Sequence, residues 1–71
     1  MQSLFTEYLS SHQWKQIKPM TFKNAKYACY ELFFDTSNQV ELYFKNKRID
    51  EKYLANLEDL KKFLIKNSFK L

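Results

Sequence analysis

The sequence predicts a small two-layer α+β domain in which two helices cover one face of a three-stranded antiparallel sheet, in the order α-β-β-β-α. Two observations indicate this fold: apolar residues alternate in two neighbouring runs, and an apolar stripe at helical spacing lies near each end. A third is the length of 71 residues, which suits one domain over residues 1–71. Each element has one apolar side, so each needs the others to bury it.

The first two elements are expected to be a helix and an edge strand. The segment Ser3–Ser11 predicts a short helix because apolar residues recur every three or four positions. These residues are Leu4, Phe5, Tyr8 and Leu9. The segment Trp14–Phe22 predicts an edge strand, since Pro19 within it has no N–H to donate to a neighbouring strand. Whether Pro19 divides this strand stays open.

The middle of the chain predicts a hairpin with a defined register. Apolar residues alternate in both arms, as Tyr30, Leu32 and Phe34 in the first and Val40, Leu42 and Phe44 in the second. Both sets face the same side only if Leu32 lies opposite Leu42. This register also places Tyr30 opposite Phe44 and Phe34 opposite Val40. The loop is Thr36-Ser37-Asn38. Asn38 is expected to be left-handed, because the chain has no glycine to take that position.

The C-terminal segment predicts a long helix that begins with Asp50 as its N-cap and is closed by a left-handed Asn67. Its apolar stripe comprises Tyr53, Leu54, Leu57, Leu60, Phe63, Leu64 and Ile65. We expect this helix and the first one to pack on the same face of the sheet.

Composition excludes several classes of function. Without glycine, neither a phosphate-binding P-loop nor a dinucleotide fingerprint can form. The single cysteine, Cys29, lies in an apolar run, which predicts a buried thiol and neither a disulfide nor a cysteine-based metal site. The single histidine, His12, lacks the partners of a catalytic base. We therefore expect a protein without enzymatic activity, metal or cofactor. Because the sequence shows neither a leader pattern nor a membrane-spanning run, we also expect a cytoplasmic location without membrane contact.

The charge distribution favours an anionic partner. The net charge is +4 and the isoelectric point is about 9.2. The best candidates for phosphate contact surround the predicted N-terminus of the long helix, whose free N–H groups attract anions. They are Lys47, Arg48 and Lys52. A second basic group, without an acidic residue between its members, comprises Lys15, Lys18, Lys23 and Lys26.

The hairpin register also predicts a set of rings on the face opposite the core. These candidate protein-contact residues are Tyr27, Phe33 and Tyr43. Glu31 and Glu41 share that face and would repel a phosphate backbone, which weighs against a stacking platform for bases. Three interpretations stay open: an ordinary solvated face, a contact face for another protein or a second copy of the chain, and a platform for nucleic-acid bases.

The chain resembles the double-stranded-RNA-binding domain fold, which HicA-type toxins share. The stretch HQWKQIK is similar to the segment that enters the first strand of the toxins, and LEDLKKFLIKNSF is similar to their terminal helix. The stretch KNKRIDEK resembles the basic run that opens the second helix of the RNA-binding domains. The toxins carry a Gly-Ser-His motif with the catalytic histidine, whereas Met20–Tyr27 reads MTFKNAKY. The resemblance thus implies the fold without the ribonuclease chemistry.

These observations predict a small basic module that binds the backbone of duplex RNA or DNA. A second hypothesis is a protein of the kind that phages and mobile elements encode to inhibit a host nuclease, CRISPR effector or polymerase by direct contact. A third is a ribonuclease toxin of the HicA type, for which His12 is the sole candidate catalyst in this sequence.

Overall fold

A computed structural model describes residues 3–67 and Phe69 of the protein. Its elements are α1 (Ser3–Ser11), β1 (Trp14–Lys18), β2 (Thr21–Asn24), β3 (Tyr30–Phe34), β4 (Gln39–Phe44), β5 (Lys47–Tyr53) and α2 (Leu57–Lys66). The five strands form an antiparallel sheet in the order β1-β2-β3-β4-β5, so each strand pairs with its neighbour in sequence. Neither helix in this part of the chain is long and apolar enough to cross a membrane.

The sheet has five strands, so the predicted three-stranded sheet and the order α-β-β-β-α are wrong. The expected hairpin β3–β4 lies at the centre of the sheet. The predicted edge strand is in fact a hairpin, and the start of the predicted long helix is a fifth strand. The α+β class and the two helices are confirmed.

Pro19 divides the predicted edge strand into the hairpin β1–β2. Lys18 lies opposite Thr21, so Pro19 and Met20 form a two-residue turn between them. Met20 has a φ of 63°, and a proline followed by a left-handed residue is the pattern of a type II turn. The restricted φ of proline therefore promotes a reversal of the chain at this point.

Residues predicted to open the long helix form the edge strand β5 instead. Lys45 and Asn46 are both left-handed, with φ of 50° and 69°, and they reverse the chain so that Phe44 pairs with Lys47. Two consecutive left-handed residues are typical of a type I′ turn, whose twist matches that of a hairpin. The prediction of Asp50 as a helix N-cap is wrong, because pairing with β4 takes up the backbone hydrogen bonds of this segment.

Helix α2 begins only at Leu57. Asn56 is its N-cap, and Asn56 Oδ1 accepts a hydrogen bond from Asp59 N at 3.0 Å. Asp59 Oδ2 in turn accepts from Ala55 N at 2.9 Å, so two side chains satisfy N–H groups at the start of the helix. Asn67 closes the helix as predicted, but its φ of −95° is not left-handed.

The register of the β3–β4 hairpin confirms the prediction. The opposed pairs are Tyr30–Phe44, Leu32–Leu42 and Phe34–Val40. Asn38 is left-handed, with a φ of 63°. Asp35 Oδ1 accepts hydrogen bonds from Ser37 N at 2.8 Å and from Gln39 N at 3.0 Å, which holds the loop closed.

One apolar cluster lies between the sheet and both helices. Its fully buried members from the strands are Phe22, Leu32, Phe34, Val40 and Leu42. Those from the helices are Phe5, Leu9, Leu60, Phe63 and Leu64. Because the strand residues alternate and both helices join the same cluster, both helices lie on one face of the sheet, as predicted.

Candidate functional site

The face of the sheet opposite the helices, here called the outer face, presents two rows of side chains. The first row crosses the five strands as Lys15, Lys23, Glu31, Tyr43 and Arg48. The second row crosses them as Lys18, Thr21, Phe33, Glu41 and Glu51. Because both helices pack on the other side of the sheet, these side chains are available to a partner.

Three lysines at one side of the outer face, Lys15, Lys18 and Lys23, form what we call the lysine patch. Lys15 and Lys23 lie directly opposite each other on β1 and β2, and like charges in such a pair destabilise a sheet. All three lysines are exposed. Within the described residues, none of them forms an ion pair with a carboxylate. The patch therefore carries positive charge that no ion pair in the described fold neutralises, although Glu31 on β3 lies directly opposite Lys23.

The acidic residues Glu41 on β4 and Glu51 on β5 share one cation, Arg48, and each also accepts a hydrogen bond from a neighbouring side chain. Arg48 lies 3.9 Å from Glu41 and 3.6 Å from Glu51. The Tyr43 hydroxyl donates a hydrogen bond to Glu41 Oε1 at 2.6 Å, and the Gln39 amide donates one to Glu51. The hydrogen bond to Glu41 raises the pKa of Tyr43, since it stabilises the neutral phenol, and burial adds to the shift. The outer face is thus basic on β1–β2 and internally compensated on β4–β5.

A shallow groove of about 280 Å³ crosses the middle of the outer face. It is lined by Lys18, Thr21, Glu31, Phe33, Tyr43 and Asn46. Phe33 and Tyr43 are half-buried, so each presents part of its ring. Glu31 pairs in register with Lys23, but within the described chain its carboxylate forms neither an ion pair nor a hydrogen bond. The groove therefore combines two ring surfaces with one free acceptor beside the lysine patch.

The predicted phosphate-contact residues Lys47, Arg48 and Lys52 lie on β5 and do not surround a helix N-terminus. Arg48 lies on the outer face, where two carboxylates pair with it. Lys47 and Lys52 lie opposite Phe44 and Val40, on the helix side of the sheet. The structure therefore divides this group between two faces. The attraction of a helix N-terminus is absent there, because the N-cap of α2 is Asn56, six residues after the predicted Asp50.

Tyr27 does not share the outer face with Phe33 and Tyr43. Strand β3 begins only at Tyr30, so the alternation that would have placed Tyr27 on the same face as Phe33 does not extend back to it. The Tyr27 ring instead packs edge-on against Phe69 on the helix side, with ring centroids 4.9 Å apart. The structure therefore brings together two of the three predicted contact rings.

The loop between β2 and β3 also positions Lys26 and Cys29. The buried Asn24 holds this loop, since its Oδ1 accepts from Lys26 N at 2.8 Å and its Nδ2 donates to His12 O at 3.1 Å. Lys26 lies outside the two rows of the outer face, with Nζ 5.7 Å from the centroid of the Tyr27 ring. Cys29 is exposed, so the prediction of a buried thiol is wrong. Cys29 precedes the start of β3 at Tyr30, so it lies outside the alternation that buries every second side chain of that strand.

His12 and Ser11 are in contact at the end of α1, with 3.0 Å between Nδ1 and Oγ. Both atoms also lie 2.8 Å from the carbonyl oxygen of Tyr8. Because a carbonyl oxygen can only accept, Nδ1 carries a proton towards it and cannot take one from the Ser11 hydroxyl. This contact does not have the geometry of a nucleophile–base pair.

Metal-ligating side chains do not cluster in the part of the chain that the structure describes: no three or more His, Cys, Asp or Glu side chains come together. No family model, curated protein or solved structure matches the chain. The chemistry of the outer face is therefore what indicates a partner.

Sequence reasoning missed the pairing of Lys15 with Lys23 and the groove residues Thr21 and Asn46. The pairing had a signal in the sequence. Proline is common at the second position of a turn, and treating Pro19 in that way would have folded β1 onto β2. Asn46 had no comparable signal, because it reaches the groove only through a turn that lacks glycine.

Proposed function

We propose that the protein is a non-enzymatic module that binds the phosphate backbone of a nucleic acid through the lysine patch. The observation that supports this function is the direct opposition of Lys15 and Lys23, neither of which forms an ion pair within the described residues. Such a like-charge pair costs roughly 0.2–1 kcal/mol in the free protein. A bound phosphate converts this repulsion into attraction, and counterions released from the nucleic acid add to the affinity.

Three acidic residues of the described chain lie on the outer face, and Glu31 is the one nearest the lysine patch, directly opposite Lys23, where it offsets part of the positive charge. The other two oppose this function less. Glu41 and Glu51 share Arg48, which compensates part of their charge. They also lie on β4 and β5, two or more strands from Lys23, and therefore at least about 10 Å away at the usual strand spacing. At physiological ionic strength, charges beyond a Debye length of about 8 Å are largely screened.

The salt dependence of binding tests this proposal. We expect the double variant Lys15→Gln/Lys23→Gln to lose affinity and to lower the slope of log affinity against log salt concentration by about 0.7–0.9 for each phosphate contact removed. Fluorescence anisotropy between about 50 mM and about 200 mM salt measures it, with a duplex and a single strand of equal length. Lys62→Gln, which removes an exposed lysine from α2, is the matched control. An identical slope for the double variant and the control contradicts the proposal.

A second candidate function, contact with a protein, is supported by the half-buried rings of Phe33 and Tyr43 on an open sheet face. Aromatic residues within a polar rim are typical of protein interfaces. The partner would be a second copy of the chain or a host enzyme that acts on nucleic acid. Affinity capture with and without nuclease separates the two functions. A partner that survives nuclease treatment and is lost in Phe33→Asp, with the fold intact, supports protein contact.

A further inference from the structure

We infer that the groove of the outer face binds one base of a single-stranded nucleic acid. The base stacks on Phe33 and Tyr43, and its amino group donates a hydrogen bond to the carboxylate of Glu31. This inference rests on the proposed function, because it adds a base site to a backbone site. It changes the expected ligand from a duplex to a single strand, whose bases are free to turn out of the helix and stack on rings.

The position of the groove links it to the lysine patch. Lys18 belongs to both, so a phosphate held by this lysine places the adjoining base over the groove. The volume of about 280 Å³ lies just below the range for small-molecule sites, roughly 300–1,000 Å³, and therefore suits one planar ring system. A base brings no charge into the groove. An acidic peptide, which would also suit the lysine patch, would bring a carboxylate next to Glu31.

Glu31 determines which bases suit the groove. In the described part of the chain its carboxylate accepts no hydrogen bond, whereas Glu41 and Glu51 accept hydrogen bonds from neighbouring side chains. An ionised carboxylate accepts hydrogen bonds and donates none. Cytosine presents an amino donor at the position where thymine presents a carbonyl acceptor. We therefore expect the groove to favour cytosine over thymine, two bases of similar size.

The test compares three single-stranded DNA oligonucleotides of equal length: oligo-dC, oligo-dT and an abasic strand. We expect the protein to bind oligo-dC at least about fivefold more tightly than the abasic strand, which is the lower limit for stacking one base on an aromatic side chain. Oligo-dT should fall between them. Affinities are measured by anisotropy at one low salt concentration, where the lysine patch contributes equally to all three.

Two variants assign the effect to the groove. Phe33→Leu keeps an apolar side chain without the ring, so it should lower the affinity for oligo-dC towards that for the abasic strand and leave the abasic affinity unchanged. Glu31→Gln offers both a donor and an acceptor, so it should remove the preference of oligo-dC over oligo-dT. Lys62→Gln should behave like the unaltered protein. Thermal unfolding of each variant shows that the fold is intact.

The other possible results distinguish failure of the base site from failure of backbone binding. Equal affinity for oligo-dC and the abasic strand overturns the base site and leaves backbone binding standing. A preference for oligo-dC that persists in both Phe33→Leu and Glu31→Gln also overturns the base site, since the bases are then read elsewhere. No binding of any strand at low salt overturns both this inference and the proposed function.

Discussion

Five residues in the described chain hold a left-handed backbone, although the sequence contains no glycine. They are Gln13, Met20, Asn38, Lys45 and Asn46. Asparagine tolerates this conformation better than other residues with a side chain, which accounts for two of the five positions. Gln13 is a less favourable residue there. It follows the end of α1, in the place where helices most often carry glycine.

The substitution Gln13→Gly should stabilise the protein. Gln13 is exposed, so the change removes backbone strain without loss of packing, and we expect the free energy of unfolding to rise by about 1 kcal/mol. In a domain of this size the melting temperature should increase by about 4–8 °C, as measured by circular dichroism. Gln16→Gly, in strand β1, is the control and should lower the melting temperature. A decrease for both variants would show that Gln13 is not strained.

At the scale of elements, Asp50 joins the edge strand β5 to the end of α2. Its Oδ2 accepts a hydrogen bond from Asn67 Nδ2 at 3.1 Å and lies 3.3 Å from Lys66 Nζ. Its Oδ1 accepts from Glu51 N at 2.8 Å. The hydrogen bond from Asn67 lowers the pKa of Asp50 below its ordinary value, and the Glu51 N–H and Lys66 add to this effect against the opposing effect of burial. The residue predicted to start the long helix therefore anchors its end.

This contact should make stability depend on pH. Because the pKa of Asp50 is lower in the folded state, its contribution is complete above the unfolded-state pKa, near 3.8, and disappears as the pH falls through the folded-state pKa. We expect Asp50→Asn to reduce the free energy of unfolding by about 1 kcal/mol at neutral pH. This difference from the unaltered protein should become smaller as the pH falls to about 2. Urea denaturation across this range measures it. Glu58→Gln, which breaks the exposed pair with Lys61, should change stability by less than about 0.5 kcal/mol. A difference for Asp50→Asn that is constant with pH would contradict the assignment.

At the scale of the whole molecule, Phe69 joins the end of the described chain to the start of the sheet. Its buried ring packs edge-on against Trp14, Tyr27 and Tyr30, with centroids 4.9–5.3 Å apart. Its N–H donates to Leu64 O at 2.9 Å, which directs the chain back from α2. One ring thus ties together three parts of the fold that are distant in sequence.

Removal of this ring should destabilise the entire domain. We expect Phe69→Ala to cost about 3 kcal/mol, a large part of the 5 kcal/mol or so that holds a small domain folded. Phe69→Leu, which keeps most of the volume, should cost less than about 1.5 kcal/mol. Ile65→Ala truncates an exposed apolar residue of α2 and serves as the control, with little effect. Chemical denaturation followed by tryptophan fluorescence reports on Trp14 directly. Equal losses for Phe69→Ala and Ile65→Ala would show that the ring does not close the core.

Helix α1, the register of β3–β4 and the side of the sheet that forms the core follow from the sequence alone. These features depend on contacts between residues close in sequence. Alternating apolar residues in two arms joined by a short loop agree in one register, and a shift of one residue would place Leu32 against Glu41. The left-handed Asn38 followed from the same local constraints.

The conformation of residues 47–53 and the composition of the candidate site depend on contacts between strands, which local sequence patterns do not specify. The apolar stripe of α2 continues upstream through Leu54 and Tyr53, so periodicity alone extends the helix into β5. Two left-handed residues, Lys45 and Asn46, turn residues 47–53 back along the open edge of β4, and the pairing formed there replaces the helix and offsets the cost of the turn. The same reversal brings Arg48 to Glu41 and Glu51 on the outer face, so that within the described residues these two carboxylates pair with Arg48 and not with the lysine patch. Charge pairing between strands depends on which edges meet, and that is settled by the backbone hydrogen bonds of the whole sheet.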